Sequence, residues 1–396
     1  MLARGIIVLA LIAYAIASSV PSSERPPFLL PVPSGPYVVK AEVQELTDSS
    51  RMNCNSTGPR RLMISRFDPV PKKHCIATKD VPTFPPVSAK FEDLIIEENW
   101  DYAGRWIRGL FAASRIKVCS KVNKEYASNT EQEKLNHGFP VLLLSPGGYL
   151  TRLVYSSLAQ TIASKGYTVI TIDHPGDTDV VEFLNGDLIF GTDANNSYPS
   201  TWNEIRVKDA RFVLDETMKK SPHVRVGILG HSLGGSAALS ATFEDERIKA
   251  GINFDGSIFG PVVEAGLGER NQSFMFFGAR GHERSVDPGW ATLWNTTDRR
   301  YPDAWKKEIN LSEGRHNIIT DFPVIFDAAN VRDVLDVDIV YRIAGNIKSS
   351  RAQGMITAYV HDFFQFALGF TKDEGLLKEP TLEWPEIYFP DVGMAM

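Results

Sequence analysis

The sequence contains a hydroxyl, an imidazole and a carboxylate that are spaced so that a folded sheet could bring them together. The hydroxyl is Ser232, in Gly230-His231-Ser232-Leu233-Gly234. An apolar, β-branched run (Val224, Val226, Ile228, Leu229) leads into it, and the small-residue stretch Ser236-Ala237-Ala238-Leu239-Ser240-Ala241 follows. Strand, sharp turn and helix is the context in which Gly-x-Ser-x-Gly exposes a serine Oγ at a sheet edge, with helix amides pointing at any oxyanion it creates. The chemistry implied is nucleophilic attack on a carbonyl. Serine is a poor nucleophile at neutral pH and needs a general base, which in turn needs a carboxylate to orient it.

In a sheet of this kind the order along the chain is Ser, then Asp or Glu, then His, each at a strand end. Of the eight histidines, three follow Ser232: His282, His316 and His361. His316 lies in the polar loop Glu313-Gly314-Arg315-His316-Asn317, directly after the last expected strand, and is the expected base. His361 falls inside the terminal helix and His282 follows an earlier strand. Asp255 is the expected acid, because an aspartate closing the apolar strand Ile252-Asn253-Phe254 is held rigidly. Asp287, in a longer polar loop, is the alternative. The oxyanion donors are read as the backbone N–H groups of Leu233 and of Gly148 in Ser145-Pro146-Gly147-Gly148-Tyr149, with Tyr149 second, since Pro146 has no N–H. His174 and His231 are read as supporting the site by packing or hydrogen bonds. No group of residues has metal-ligand spacing and no dinucleotide fingerprint occurs, so no metal and no cofactor are expected.

The elements that must position these residues alternate strand and helix from residue 139 onward. Strands are expected at 141–144, 167–172, 224–229, 249–254, 273–277 and 307–311. Helices are expected at 153–165, 202–219 and 351–368. Such alternation predicts an α/β chain with a mostly parallel sheet and helices on both faces. Two antiparallel strands, 37–47 and 61–67, precede it, completing an α/β-hydrolase arrangement. Residues 69–86 read as a Pro- and Lys-rich loop, 93–114 as helical around Trp100 and Trp106, and 178–201 as a polar excursion suited to loops over a pocket. A single catalytic domain over residues 37–396 is expected.

The N-terminus reads as an address. Arg4 and an apolar run to Ala17, with Ala15-x-Ala17, predict a signal peptide over 1–17, followed by an extended, poorly ordered Pro/Ser-rich leader over 18–36. Secretion fits five Asn-x-Ser/Thr sequons, at Asn55, Asn195, Asn271, Asn295 and Asn310. Of the three cysteines, Cys54 and Cys75 are the expected pair and Cys119 is left over. The 396 residues carry a net charge of −6 and no Lys/Arg-rich run, which argues against a nucleic-acid partner. No obligate protein partner is evident, and peripheral contact with a lipid surface is left open.

These motifs resemble the platelet-activating-factor acetylhydrolases, the lipoprotein-associated phospholipase A2 type. The resemblance rests on Gly230-His231-Ser232-Leu233-Gly234-Gly235, on Pro146-Gly147-Gly148, on residues 206–215 before the elbow, on Phe254-Asp255-Gly256, and on His316 followed by Asp321-Phe322. It covers about residues 139–325. The family's Ser-His-Gly is Ser145-Pro146-Gly147 here, and Leu233 stands where Phe is common. The resemblance implies a calcium-independent serine esterase acting on a short acyl ester of a phospholipid, with Asp255 as the acid. The same motifs occur in bacterial polyester hydrolases and cutinases, so a cutinase-like polyester hydrolase or a metabolite carboxylesterase is the alternative within this chemistry, and a non-catalytic binding module on the same fold is the alternative of another class.

Overall fold

The computed structural model describes residues 25–53, 58–99, 105–123, 138–192 and 198–391. The signal peptide, Cys54, Asn55 and Asn195 lie outside the described residues. A nine-stranded sheet organises the chain. From edge to edge its strands are Ile387–Tyr388, Lys306–Leu311, Ser273–Ala279, Ile248–Phe254, Val226–His231, Val141–Ser145, Thr168–Ile172, Pro59–Pro71 and Tyr37–Met52. The six strands from Lys306–Leu311 to Thr168–Ile172 run parallel. Tyr37–Met52 and Pro59–Pro71 at one edge and Ile387–Tyr388 at the other are antiparallel additions. This is the α/β-hydrolase architecture.

The central strands are buried on both faces, which is why they read as continuous apolar runs. Alternate residues still serve different layers. Leu142, Leu144, Leu229 and Ile252 face the cluster that contains Leu158, Phe363 and Phe364. Val141, Leu143 and Ile228 face Val207, Ala210, Leu214, Ala237 and Ala238. The second group comes from the long helix Tyr198–Lys220 and the helix Leu233–Glu244 that leaves the elbow. The strand carrying Ser232 is therefore gripped from both sides, and the elbow has little freedom to relax.

Four expectations need correction. Residues 69–86 contain the strand Cys75–Pro82, whose side chains are mostly exposed and whose order comes from antiparallel pairing with Ser114–Val122. The helical stretch expected at 93–114 lies earlier, at Pro86–Asn99, and only a turn of helix, Leu110–Ala113, forms near its end. The leader is extended but ordered by residue 28. Phe28–Leu29 pairs in parallel with Ser114 and Arg115, and Leu30 is buried, because the edge of that strand offers unpaired backbone groups and an apolar pocket. The disulfide joins Cys75 to Cys119, with Cα atoms 5.8 Å apart. The pairing of Cys75–Pro82 with Ser114–Val122 brings these two together, a long-range contact that a loop reading of 69–86 misses.

The sequons also divide. Asn271 and Asn295 are exposed. Asn310 is fully buried at the end of its strand, and its Nδ2 donates to the His282 carbonyl at 2.8 Å. It has no room for a glycan. The excursion at 178–201 carries a hairpin, Val180–Glu182 with Leu188–Phe190, anchored by Val180, Val181 and Phe183 in the interior.

Non-reducing peptide mapping will recover a Cys75–Cys119 linked peptide and an alkylatable Cys54. Opening this 44-residue separation with Cys119→Ser will cost about 2–4 kcal/mol in denaturant unfolding.

Candidate active site

Ser232 caps the helix Leu233–Glu244 with φ 54° and ψ −123°, a conformation L-residues rarely adopt. The surroundings enforce it. Ser232 N–H donates to the Phe254 carbonyl at 2.8 Å, and the Ser232 carbonyl accepts from Gly235 N–H at 2.8 Å. A Cβ on Gly234 would lie 2.1 Å from the Ser145 carbonyl oxygen, and one on Gly256 would lie 2.0 Å from the Ser232 carbonyl oxygen. Three chain segments thus meet at backbone distance, and the Ser232 side chain goes to the open side, a cleft that it lines together with His231, His316, Gly148 and Tyr149.

Asp255 ends the next strand, also with positive φ, in a turn tied by Asn253 Nδ2 to the Gly256 carbonyl (2.7 Å) and by Gly256 N–H to Asn253 Oδ1 (2.8 Å). His316 follows the strand Lys306–Leu311, and its Nδ1–H donates to Asp255 Oδ2 at 2.5 Å. The carboxylate fixes the ring so that Nε2 remains for the serine side. The second carboxylate oxygen accepts from Ala279 N–H at 2.7 Å and from His282 Nδ1–H at 3.1 Å. Burial raises the Asp255 carboxyl, but the hydrogen bonds and positive charge of His282 and His316 outweigh it and hold the group below the usual carboxylate range.

The structure thus brings Ser232, His316 and Asp255 to one sheet edge. Asp287 is elsewhere: its carboxylate accepts from His282 Nε2 (3.0 Å), from Ser257 Oγ–H (2.7 Å) and, as helix cap, from Trp290 N–H (2.9 Å). His282 bridges the two aspartates while stacking on Trp290 at 4.4 Å. Sequence reasoning passed over His282. Its place after a parallel strand, at the edge that gathers the site, was the available signal. His361 lies away from the cleft, hydrogen-bonded to Tyr167.

The loop expected to supply an oxyanion donor, Ser145–Tyr149, is held from beneath. Buried Arg206 donates to the carbonyls of Pro146 and Gly147 (3.0 Å for the latter) and pairs with buried Asp177. In a trans peptide the C=O and the following N–H point oppositely. With the Gly147 carbonyl turned to Arg206, Gly148 N–H turns toward the cleft. The Ser232 carbonyl is likewise drawn into the elbow helix by Gly235 and Ser236, so Leu233 N–H points out of the helix end. A Cβ on Gly148 would come within 3.7 Å of Leu233 Cβ, so the two residues are in van der Waals contact.

His231 and His174 hold structure. Tyr155 O–H donates to His231 Nδ1 (2.7 Å) and accepts from Gly147 N–H (3.0 Å), while His231 Nε2–H donates to the His316 carbonyl (2.8 Å). One chain of hydrogen bonds therefore runs from the Gly147 loop to the His316 loop. Burial, helped by neighbouring His316, pushes His231 down to about 3, so it stays neutral. His174 is buried between Ser145 Oγ (2.9 Å) and Asp209 (3.0 Å), lowered chiefly by burial. Neither Tyr155 nor Arg206 carries a local sequence signal of its role. Among the described residues, no group of three or more His, Cys, Asp or Glu side chains is arranged to hold a metal.

His282 resists burial because its two carboxylate partners raise it to about 9. Its unfolded value is near 6.5, so the stability it contributes is full below pH 6.5 and is lost as pH rises toward 9. The wild-type thermal midpoint will fall across pH 6.5–9, and that of His282→Gln will be nearly flat over the same window. Equal slopes would remove the bridge from the account.

Comparison with known proteins agrees with this architecture. The family model for platelet-activating factor acetylhydrolase, isoform II, matches residues 104–186 and 200–377. A protein of Arthroderma benhamiae named "Probable 1-alkyl-2-acetylglycerophosphocholine esterase" is 55% identical over 396 residues, covering 99% of this chain and 100% of that protein. The platelet-activating factor acetylhydrolase of Bos taurus is 21% identical over 272 residues, covering 59% of this chain and 58% of that one. A ferulic acid esterase from Streptomyces cinnamoneus superposes with a TM-score of 0.70 at 26% identity, over 92% of this chain and 99% of that structure. On the family match and the 55% identical relative together, this chain belongs to the isoform II family of platelet-activating factor acetylhydrolases and is a carboxylic ester hydrolase.

Proposed function

We propose that the protein is a secreted serine esterase that removes a short acyl group, acetyl first among them, from a glycerophosphocholine of the platelet-activating-factor type. The observation that carries the mechanism is the His316–Asp255 hydrogen bond beside a serine held at an elbow. His316 Nε2 takes the Ser232 proton as Oγ attacks the ester carbonyl. The tetrahedral oxyanion accepts from Leu233 and Gly148 N–H groups. The proton then passes from His316 to the leaving alcohol, and the acyl group stays on Ser232. Water attacks the acyl-enzyme in the same way, with His316 again as base, and releases the acid. Each oxyanion donor is worth about 10²–10³ in rate.

The substrate choice is supported by the family and by the name of the 55% identical relative. Secretion is supported by the N-terminal address, by a disulfide in the chain and by exposed Asn271 and Asn295 in sequons. The likeness to a ferulic acid esterase supports ester hydrolysis on this fold and supplies the competing substrate class.

An acyl-chain-length series decides among substrates. Acetylated alkyl-glycerophosphocholine should be cleaved with the highest kcat/KM, with a fall of about tenfold or more by the time the acyl chain is long. Faster cleavage of feruloyl esters or of a polyester film, with no action on the acetylated phospholipid, would overturn the substrate. Ser232→Ala should lower kcat by about 10⁴–10⁶ on any ester while leaving the fold intact. Undiminished activity would remove the nucleophile.

A further inference from the structure

The cleft holds a buried carboxyl that the mechanism does not use. Glu92, on the helix Pro86–Asn99, lines the cleft and is only 3% exposed. Its Oε1 is buried with no hydrogen-bond partner. Burial first, and then the charges of Asp179, Asp173 and Asp93, push its carboxyl well above the usual range. Asp179 lines the same cleft, half-buried. Among the described residues that line the cleft there is no Lys or Arg; Ile95, Ile96, Tyr149, Leu150 and Phe322 line it as well.

A buried carboxyl without a donor is costly, and a nonfunctional position is better filled by an apolar side chain. The cost is recovered when a ligand brings positive charge. A primary ammonium carries three N–H donors and needs several acceptors around it. A quaternary ammonium has none. It needs an anionic field and an apolar or aromatic lining, where a cation over a ring gains about 0.5–2 kcal/mol. The Glu92 end of the cleft offers that combination.

We propose that Glu92 and Asp179 form a subsite for a quaternary ammonium group on the leaving alcohol of the substrate. Glu92 ionises as the cation arrives, and Asp179 adds its field at the rim. The phosphate of a zwitterionic headgroup stays toward the open mouth of the cleft. The subsite makes the acidic wall a specificity device that selects among alcohols. It rests on the proposed phospholipid substrate only for the identity of its natural occupant.

The test uses inhibition of p-nitrophenyl acetate hydrolysis by choline and by its uncharged isostere 3,3-dimethylbutan-1-ol. The wild-type enzyme should bind choline about tenfold more tightly than the isostere. That ratio should fall to near one in Glu92→Gln and should fall in Asp179→Asn. Because the readout is a ratio of two inhibition constants, loss of folded enzyme does not move it. A wild-type ratio of one, or an unchanged ratio in Glu92→Gln, overturns the subsite. A choline preference that Glu92→Gln removes, without hydrolysis of acetylated glycerophosphocholine, keeps the subsite and sinks the substrate. Hydrolysis of that phospholipid without the preference does the reverse.

Discussion

The site depends on a steric constraint: the backbone at residue 232 has nowhere else to go. Its positive φ costs about 1–3 kcal/mol in isolation. It persists because the strand before it is paired on both sides and the helix after it is packed against the same sheet. Gly234 and Gly256 let the Ser145–Pro146 and Ser232 carbonyls come closer than any Cβ would allow. The same crowding sets two neighbours. The loop after Val141–Ser145 is pressed against the elbow, and the turn at Asp255 is fixed beside it. The Ser232 hydroxyl, the proposed oxyanion donors and the Asp255 carboxylate thus share one packing solution.

Electrostatics then orient what packing has gathered. Beneath the Ser145–Tyr149 loop a buried cation, Arg206, is neutralised by Asp177 and gives its remaining donors to the Ser145 hydroxyl and to the Pro146 and Gly147 carbonyls. A buried ion pair is a doubtful source of stability. Here its effect is directional, since it decides which way two peptide planes face. On the far side, Asp255 is saturated: each oxygen has at least one donor, and His282 supplies a second imidazole. A saturated carboxylate cannot rotate away from His316. The Tyr155–His231 chain ties the two halves, so a shift in one loop is felt in the other.

Much of this was legible in the sequence, for a physical reason. Buried parallel strands are short apolar runs, and the chemistry of this fold sits at their carboxyl ends, so Ser232, Asp255 and His316 announce themselves by position. The failures share a cause too. The strand Cys75–Pro82 is polar, exposed and ordered only by a partner some forty residues away, so its local pattern reads as loop and its disulfide was assigned to the wrong partner. Asn310 looks like a glycan acceptor because a tripeptide carries no information on burial. Arg206, Tyr155, His282 and Glu92 act through contacts with residues distant in sequence, and nothing beside them in the chain reports those contacts.

The central claim is that the hydroxyl of residue 232 reacts while two particular amides receive the charge. A crystal structure of the enzyme inactivated by an alkyl phosphonate tests it most directly. The account predicts phosphorus bonded to Ser232 Oγ, its oxygen about 2.7–3.1 Å from both Gly148 N and Leu233 N, and His316 still on Asp255. Phosphorus on another side chain, or an oxygen turned away from both amides, would contradict it.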